Sequence, residues 1–306
     1  MMNSPKQTAM WIAVDWGTTN LRVWMMDSDN IPFAQAHSGK GMGGLAPNGF
    51  EPALLELIAP YLSDDQVTTV ICAGMVGARE GWCEARYVAT PCPPPDRADA
   101  INADAHDPRI SVTILPGVKQ VSPPDVMRGE ETQIAGVLRD YPNFDGIICL
   151  PGTHTKWVHI SAGEIVSFQT FMTGEMFALL SEKSVLRHSM SSDDWDQESY
   201  LTAISDAMAR PQSVAGYLFG LRAGGLVGDL AAKTARARLS GLLIGIELAA
   251  ARPYWLGQNV AIIGSGIVAE LYRSALVEQG VPAAVRDVAD LTLAGITAAH
   301  DAQRDD

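Results

Sequence analysis

The chain begins with short apolar runs separated by polar turns, a pattern that predicts strands rather than helices. Three strands are predicted at Trp11–Asp15, Leu21–Met26 and Phe33–His37. Apolar residues then recur at helical spacing over Phe50–Leu62, and a short apolar strand follows at Thr69–Ala73. Later in this half we predict a strand at Val112–Leu115 and a helix through Leu138 that ends before Pro142.

The second half repeats the same order of elements. Three predicted strands are followed by a helix at Glu175–Leu186 and by a long helical region, 195–252, with breaks near Pro211 and Gly224-Gly225. The three strands are Ile147–Leu150, Trp157–Ile160 and Glu164–Thr170. After the helical region, strands and helices alternate at Asn259–Ile263, Val268–Glu278, Ala283–Val288 and Leu291–Gln303. This order predicts an α/β protein with mixed sheets. We expect two related lobes, at residues 1–143 and 144–306.

Composition narrows the function classes. Of the 306 residues, 47% are hydrophobic and 19% are charged, which is enough to build real cores. A net charge of −13 argues against non-specific binding to nucleic acid or to an anionic membrane surface. The four cysteines show no metal-site spacing, and no secretory signal or membrane span is recognised. We expect a cytoplasmic protein with a small-molecule partner, and a homodimer is left open.

Two Gly-Thr turns are the strongest chemical signal. Asp15 ends the first strand and is followed by Gly17, Thr18, Thr19 and Asn20, and a similar turn follows the first strand of the second half, at Gly152, Thr153 and His154. Successive backbone amides in such turns bind anions. Two turns facing each other across a cleft would hold the phosphates of ATP, with Asp15 as a ligand for Mg²⁺. Hairpin turns also favour these residue types without any ligand.

Five blocks of residues resemble the 2-dehydro-3-deoxygalactonokinase family of the ASKHA superfamily, which includes sugar kinases and actin. They are Asp15–Arg22 (DWGTTNLR), Gly74–Trp82 (GMVGAREGW), Met127–Gln133 (MRGEETQ), Leu150–Trp157 (LPGTHTKW) and Phe171–Phe177 (FMTGEMF). The resemblance implies two ribonuclease H-like lobes with mixed sheets flanked by helices and a cleft. It also implies ATP-dependent phosphorylation of 2-dehydro-3-deoxy-D-galactonate at the 6-hydroxyl.

The remaining candidates fit that chemistry. Glu130 and Glu131 open a predicted helix, where one of them would accept the hydroxyl proton, although Glu in a first helical turn is also ordinary capping. Arg79 and Arg128 would bind the substrate carboxylate, and Trp82 would stack on the substrate. The adenosine site is expected at the turn Gly264, Ser265 and Gly266, and Thr173 is expected to cap its helix.

Other functions stay open at this stage. A kinase for another 2-keto-3-deoxy sugar acid, such as 2-dehydro-3-deoxygluconate, would need the same residue types. A non-catalytic sugar-acid sensor on the same fold is a second alternative. The acidic charge and the short segment before the first strand argue against a DNA-binding sensor.

Overall fold

The computed structural model describes residues 7–192 and 194–302. Up to residue 144 it has nine strands and two α-helices: β1 Trp11–Trp16, β2 Leu21–Met26, β3 Pro32–Ser38, α1 Phe50–Ile58, β4 Thr68–Gly74, β5 Tyr87–Ala89, β6 Ile101–Ala103, β7 Ile110–Ile114, β8 Gly117–Gln120, β9 Asp125–Met127 and α2 Glu130–Asp140. The predicted helix over 50–62 therefore ends early, and its last turn is a 3₁₀-helix at Ala59–Tyr61.

The later elements follow the predicted order. They are β10 Gly146–Leu150, β11 Thr155–Ser161, β12 Glu164–Phe171, α3 Thr173–Glu182, α4 Gln197–Ala209, α5 Val214–Val227, α6 Ala232–Ala250, α7 Arg252–Trp255, β13 Val260–Ile263, α8 Gly266–Glu278, β14 Ala283–Arg286 and α9 Val288–Asp301. None of the helices among the described residues combines the length and the hydropathy that crossing a membrane requires.

The chain forms two compact units. The first contains the described residues up to Phe144, then Ser161–Ser167, then those from Val288 onward, and the second contains Asp145–Ile160 and Phe168–Asp287. The predicted lobe boundary at residues 143/144 lies next to the first of these divisions. The structure differs at the C-terminal end, because α9 packs on α2 of the first unit.

The first unit is built on a six-stranded mixed sheet with the order β3-β2-β1-β4-β7-β6. Strand β1 is antiparallel to β2 and parallel to β4. One face of β1, with Ile12, Val14 and Trp16, joins a core that includes the buried residues of α1. The other face, with Trp11 and Ala13, packs with residues of α9. Since side chains alternate along a strand, Asp15 lies on this second face.

A five-stranded sheet, most of which lies in the second unit, repeats this plan with the order β12-β11-β10-β13-β14. Strand β10 is antiparallel to β11 and parallel to β13. Buried residues of α4, α6 and α8 join β10, β11 and β13 in one core. This two-unit α/β architecture with mixed sheets confirms the predicted fold class.

One predicted break is displaced along the chain, and one sheet was not predicted. Gly224-Gly225 does not break the long helical region, because both glycines lie inside α5, where Gly224 packs on Leu230 and Gly225 on Ser189. The break falls between Val227 and Ala232 instead. A three-stranded sheet, β5-β8-β9, was not predicted at all.

Candidate active site

The first Gly-Thr turn is fixed from behind by a glycine-rich loop. The carbonyls of Gly17, Thr18 and Thr19 accept hydrogen bonds from the amides of Met42, Gly43 and Gly41, at 3.0, 2.9 and 3.0 Å. The turn itself is closed by the Gly17 amide, which donates to the Asn20 carbonyl at 2.9 Å. Thr18, Thr19 and Asn20 remain exposed. The turn is thus held rigidly on one side and open to solvent on the other, as an anion-binding turn requires.

Asp15 lies at the end of β1 and is already paired with a cation. Its Oδ2 accepts hydrogen bonds from Arg22 Nε at 3.1 Å and from Arg22 Nη2 at 2.5 Å. Its Oδ1 lies on the side of Gly74, at 3.6 Å from the position that a Gly74 Cβ would occupy. Asp15 therefore keeps one carboxylate oxygen that is not engaged by Arg22.

The N-terminus of α2 approaches the same end of the sheet. A Cβ at Gly129, the residue before the helix, would lie 3.4 Å from the Cα of Gly74. Glu130 is half-buried, and its Oε2 accepts a hydrogen bond from the Arg128 amide at 3.0 Å. Glu131 is 2% exposed, and both of its oxygens accept from the Gly129 amide at 2.8 Å. The sequence-predicted Asp15, Glu130 and Glu131 thus lie in one region of the first unit.

Glu131 differs from Glu130 in its electrostatics. Burial, and then the nearby charge of Glu130, raise the pKa of Glu131 to about 7. The hydrogen bond from Gly129 and the charge of Arg128 act in the opposite direction and are weaker. Glu131 therefore changes its protonation state near neutral pH.

The two candidate arginines have different surroundings. Arg79 is exposed in the loop after β4. Arg128 is 9% exposed, its guanidinium lies over the Tyr87 ring at 4.2 Å, and its Nη2 donates to the Ala85 carbonyl at 2.8 Å. Its buried Nη1 lies against Gly77 and has no hydrogen-bond partner in the described parts of the chain. Arg79 is thus open to solvent, whereas Arg128 is mostly engaged with the protein.

Trp82 is half-buried in the core of the first unit. Its ring stacks on Phe50 with 6.3 Å between centroids and meets Trp16 edge-on at 6.2 Å. The stacking of Trp82 on a substrate remains a prediction.

The second Gly-Thr turn is docked on the N-terminus of α3. The Glu175 amide donates to the Thr153 carbonyl at 2.9 Å, and His154 Nε2 lies 2.6 Å from Glu175 Oε2. Gly174 passes so close to the turn that a Cβ there would lie 2.2 Å from the Gly152 carbonyl oxygen. Gly152, Thr153 and His154 themselves are exposed. This turn is therefore also rigidly supported on one side and open on the other.

Thr173 was predicted to cap α3, and this prediction is wrong. Met172 occupies the capping position, and Thr173 is the first residue of the helix. Its hydroxyl donates instead to Glu247, a buried carboxylate of α6 that also accepts from Trp157 Nε1 at 2.8 Å and from the Tyr272 hydroxyl at 2.7 Å. Glu247 was not among the site residues predicted from the sequence. The available signal was a lone carboxylate inside the apolar run 242–250.

The third predicted turn lies next to the second. A Cβ at Gly264 would lie 3.8 Å from Pro151 Cδ, which immediately precedes Gly152. Ser265 and Gly266 are exposed, and α8 begins at Gly266. The residues proposed for adenosine and those proposed for phosphate are thus neighbours in the second unit.

Within residues 7–192 and 194–302, no group of three or more His, Cys, Asp or Glu side chains is placed to hold a metal ion. A metal held at Asp15 would therefore take most of its ligands from water and from phosphate. This donor set suits Mg²⁺, which keeps several waters and commonly binds through one or two carboxylates together with substrate phosphates.

Comparison with known proteins supplies independent information. The family model described as 2-keto-3-deoxy-galactonokinase matches residues 15–299. The chain is 37% identical to a Rhizobium meliloti protein named a probable 2-dehydro-3-deoxygalactonokinase, over 94% of this chain and 96% of that one. It is 33% identical to the Escherichia coli 2-dehydro-3-deoxygalactonokinase, over 85% and 86% of the two chains. A crystal structure from Sinorhizobium meliloti, whose protein is assigned the same activity by its description, shares 36% identity and a TM-score of 0.88, and covers 96% of this chain and 99% of that one.

Proposed function

The chain belongs to the 2-keto-3-deoxy-galactonokinase family, and we propose that it transfers the γ-phosphoryl group of ATP to the 6-hydroxyl of 2-dehydro-3-deoxy-D-galactonate. The observation that carries the proposal at the level of residues is the group at the end of β1. There, the exposed Gly-Thr turn, Asp15 and the first turn of α2 with its two carboxylates lie in one region. These are the residue types that phosphoryl transfer to an alcohol requires.

Glu130 is our candidate for the group that accepts the hydroxyl proton. It is the more exposed of the two glutamates, and the amide of Arg128 fixes its carboxylate. Glu131 is buried behind it and bonded to the Gly129 amide, so we assign it to holding the first turn of α2. A carboxylate that orients the hydroxyl and takes its proton contributes roughly 10²–10⁴-fold to the rate.

Arg79 is our candidate for the substrate carboxylate. Its exposed guanidinium offers the planar pair of donors that matches a carboxylate. We propose that Arg128 and Trp82 shape the wall of the same subsite from within the first unit. The resulting site would bind the acid end of the substrate through charge and its hydroxyls through polar contacts.

Within each unit, the exposed Gly-Thr turn (Gly17–Asn20 in the first, Gly152–His154 in the second) is our candidate for binding phosphate oxygens of ATP through backbone amides and hydroxyls, and Gly264–Gly266 is our candidate for binding adenosine. Mg²⁺ would be held by Asp15 and would neutralise phosphate charge during transfer. We further propose that the reaction takes place in the cytoplasm, where ATP is available. A second copy of the chain is the one macromolecular partner that we would test, by light scattering.

A coupled ADP-release assay with MgATP and a panel of 2-keto-3-deoxy sugar acids tests this function. We expect ADP release that depends on the galactonate form, exceeds release with the gluconate form, and stops when Mg²⁺ is chelated. Glu130→Gln should lower kcat about 100-fold or more with little change in the KM for ATP. Glu80→Gln, which alters an exposed carboxyl in the loop after β4, is the matched control. A preference for the gluconate form would change the substrate, and ATP binding without turnover on any acid would favour the sensor.

A further inference from the structure

Glu247 is a buried carboxylate of the second unit that accepts three side-chain hydrogen bonds. It is 2% exposed and lies in α6, outside the five blocks of residues that carry the family resemblance. Its Oε1 accepts from Trp157 Nε1, and its Oε2 accepts from the hydroxyls of Tyr272 and Thr173. One carboxylate therefore joins β11, α8, α3 and its own helix.

The partners of Glu247 reach both sides of the Gly152–His154 turn. On the C-terminal side of the turn, Thr155 Oγ1 lies 2.9 Å from the Tyr272 hydroxyl. Because the Tyr272 hydroxyl donates to Glu247, Thr155 is the donor to Tyr272, and the three groups form one chain of hydrogen bonds. Thr155 is the residue immediately after His154, so this chain ends at the turn.

The other side of the turn is reached through α3. Thr173, which donates to Glu247, is followed by Gly174 and Glu175. Gly174 packs on the Gly152 carbonyl, and the Glu175 amide donates to the Thr153 carbonyl. The start of α3 is thus anchored at Glu247 and supports the turn directly.

Stability alone does not explain a carboxylate at this place. Burial raises the pKa of Glu247 to about 7, against the opposing effect of its hydrogen bonds from Thr173, Trp157 and Tyr272 and of the nearby Thr155 hydroxyl. No lysine or arginine in the described parts of the chain forms an ion pair with it. Burying an ionisable group among neutral partners costs free energy that an apolar side chain of similar size would not. The neighbours at 242–246 are apolar or glycine, so such a side chain would suit the helix.

We propose that Glu247 is a positioning residue that holds the Gly152–His154 turn in the conformation that binds the phosphates of ATP. The inference rests on the proposed function in one respect, namely that this turn is a phosphate site. Glu247 acts through Thr155 and Thr173 and does not contact the nucleotide. It deepens the proposed function by adding a determinant of ATP affinity that lies outside the recognisable motifs.

A matched pair of tyrosine variants tests the proposal. Tyr272→Phe removes the hydroxyl between Glu247 and Thr155. Tyr200→Phe removes an equally buried hydroxyl from the same core, where it donates to the Leu271 carbonyl at 2.8 Å and has no part in the turn. Both variants should lower the melting temperature by similar amounts. Only Tyr272→Phe should also weaken ATP binding, by about tenfold in the Kd from calorimetry, because it alone removes the hydroxyl that connects Glu247 to Thr155 on one side of the turn.

Two further readouts separate positioning from general damage. The Kd for adenosine, which lacks phosphates, should be unchanged in Tyr272→Phe, and the KM for the sugar acid should be unchanged while the KM for ATP rises. Glu247→Gln should behave like Tyr272→Phe, because the amide NH₂ places a donor opposite a donor. Glu247→Asp, which retains two acceptor oxygens, should recover part of the ATP affinity.

The proposal is overturned if Tyr272→Phe and Glu247→Gln keep the wild-type Kd for ATP to within twofold, or if adenosine and ATP affinities fall in parallel. Failure of the proposed function gives a different result. In that case wild-type protein binds ATP but phosphorylates none of the acids, and the comparison of the variants' ATP affinities still decides the role of Glu247. A wild-type protein that binds no ATP overturns both.

Discussion

Arg79 and Arg128 carry the same charge in different surroundings, so their substitutions should affect different measurements. Arg79→Ala should raise the KM for the sugar acid about 10–100-fold with little change in stability, because an exposed side chain loses only its contact with the ligand. Arg128→Ala should lower the free energy of unfolding by about 3 kcal/mol, since it removes the stacking on Tyr87 and the bond to Ala85. Steady-state kinetics and urea unfolding measure the two effects.

Arg86→Ala is the control for this pair. Arg86 is an exposed arginine of the same unit that pairs with Asp99 at the surface, so its loss should leave both the KM and the stability near wild type. An Arg79→Ala enzyme with an unchanged KM would remove Arg79 from the carboxylate site.

Glu131 should make the stability of the protein depend on pH. Its pKa is raised from 4.5 to about 7 by burial and by Glu130, so the folded state binds the proton more tightly than the unfolded state does. The associated stability is fully present below pH 4.5 and is lost as the pH rises through 7. Glu131→Gln should abolish about 3 kcal/mol of this loss, measured by urea unfolding between pH 4.5 and 8. Glu80→Gln should keep the wild-type slope, and an unchanged slope in Glu131→Gln would contradict the assignment.

At the scale of elements, the packing of α9 on α2 positions the first turn of α2, which carries Glu130 and Glu131. A Cβ at Gly295 of α9 would lie 1.8 Å from the Thr132 carbonyl oxygen, in the first turn of α2. Gly295→Ala must therefore push the two helices apart, at a cost of about 3 kcal/mol. Because Glu130 and Glu131 open the same turn, we expect kcat to fall with little change in the Kd for ATP, measured by ADP release and calorimetry.

Gly220→Ala provides the opposite control. Gly220 also lies inside a helix, α5, but a Cβ there meets no atom within 4 Å among the described residues. The substitution should stabilise the protein by about 0.5–1 kcal/mol, since alanine favours the helix, and should leave turnover unchanged. If both variants behave alike, the close contact at Gly295 does not position α2.

The elements that the sequence predicted share a visible apolar pattern. Strands β1 and β2 have almost continuous buried residues and were predicted to within one residue. Strands β5 and β9 have only three residues each, most of them not buried, so pairing with β8 rather than their own pattern defines them. The pair Gly224-Gly225 predicted a break, but α5 continues through both residues and ends at Val227, so glycine alone did not locate the end of the helix.

The residues of the candidate site divide in the same way, into those with a local sequence pattern and those without one. The Gly-Thr turns and the glutamates of α2 were predicted because their chemistry is contiguous in sequence. Glu247 lies 92 residues after Thr155, and no local spacing connects them. Only the packing of α6 and α8 beside β11 reveals their connection.

At the scale of the whole molecule, the chain passes from one unit to the other four times. The divisions lie at 144/145, 160/161, 167/168 and 287/288, so neither unit is continuous in sequence. The first unit in particular depends on α9, which is the last helix of the chain. Ile296 and Ala299 complete the cluster around Trp11 and Trp24, and His300 stacks on Trp11 with 4.2 Å between ring centroids.

A fragment of residues 1–143 should therefore fail to fold cooperatively on its own. Without α9, the face of the sheet with Trp11 and Trp24 is open to water, and the loss of Ile296 alone corresponds to roughly 2–5 kcal/mol. This is a large part of a domain's usual stability. Adding a synthetic peptide of residues 288–302 should restore near-ultraviolet circular dichroism and shift tryptophan emission to shorter wavelength. The same peptide with Ile296→Asp should not, because a carboxylate would replace the buried side chain. Cooperative melting of the fragment without the peptide would mean that the first unit folds without α9. The packing of α9 on α2 would then serve to position Glu130 and Glu131 rather than to fold the sheet.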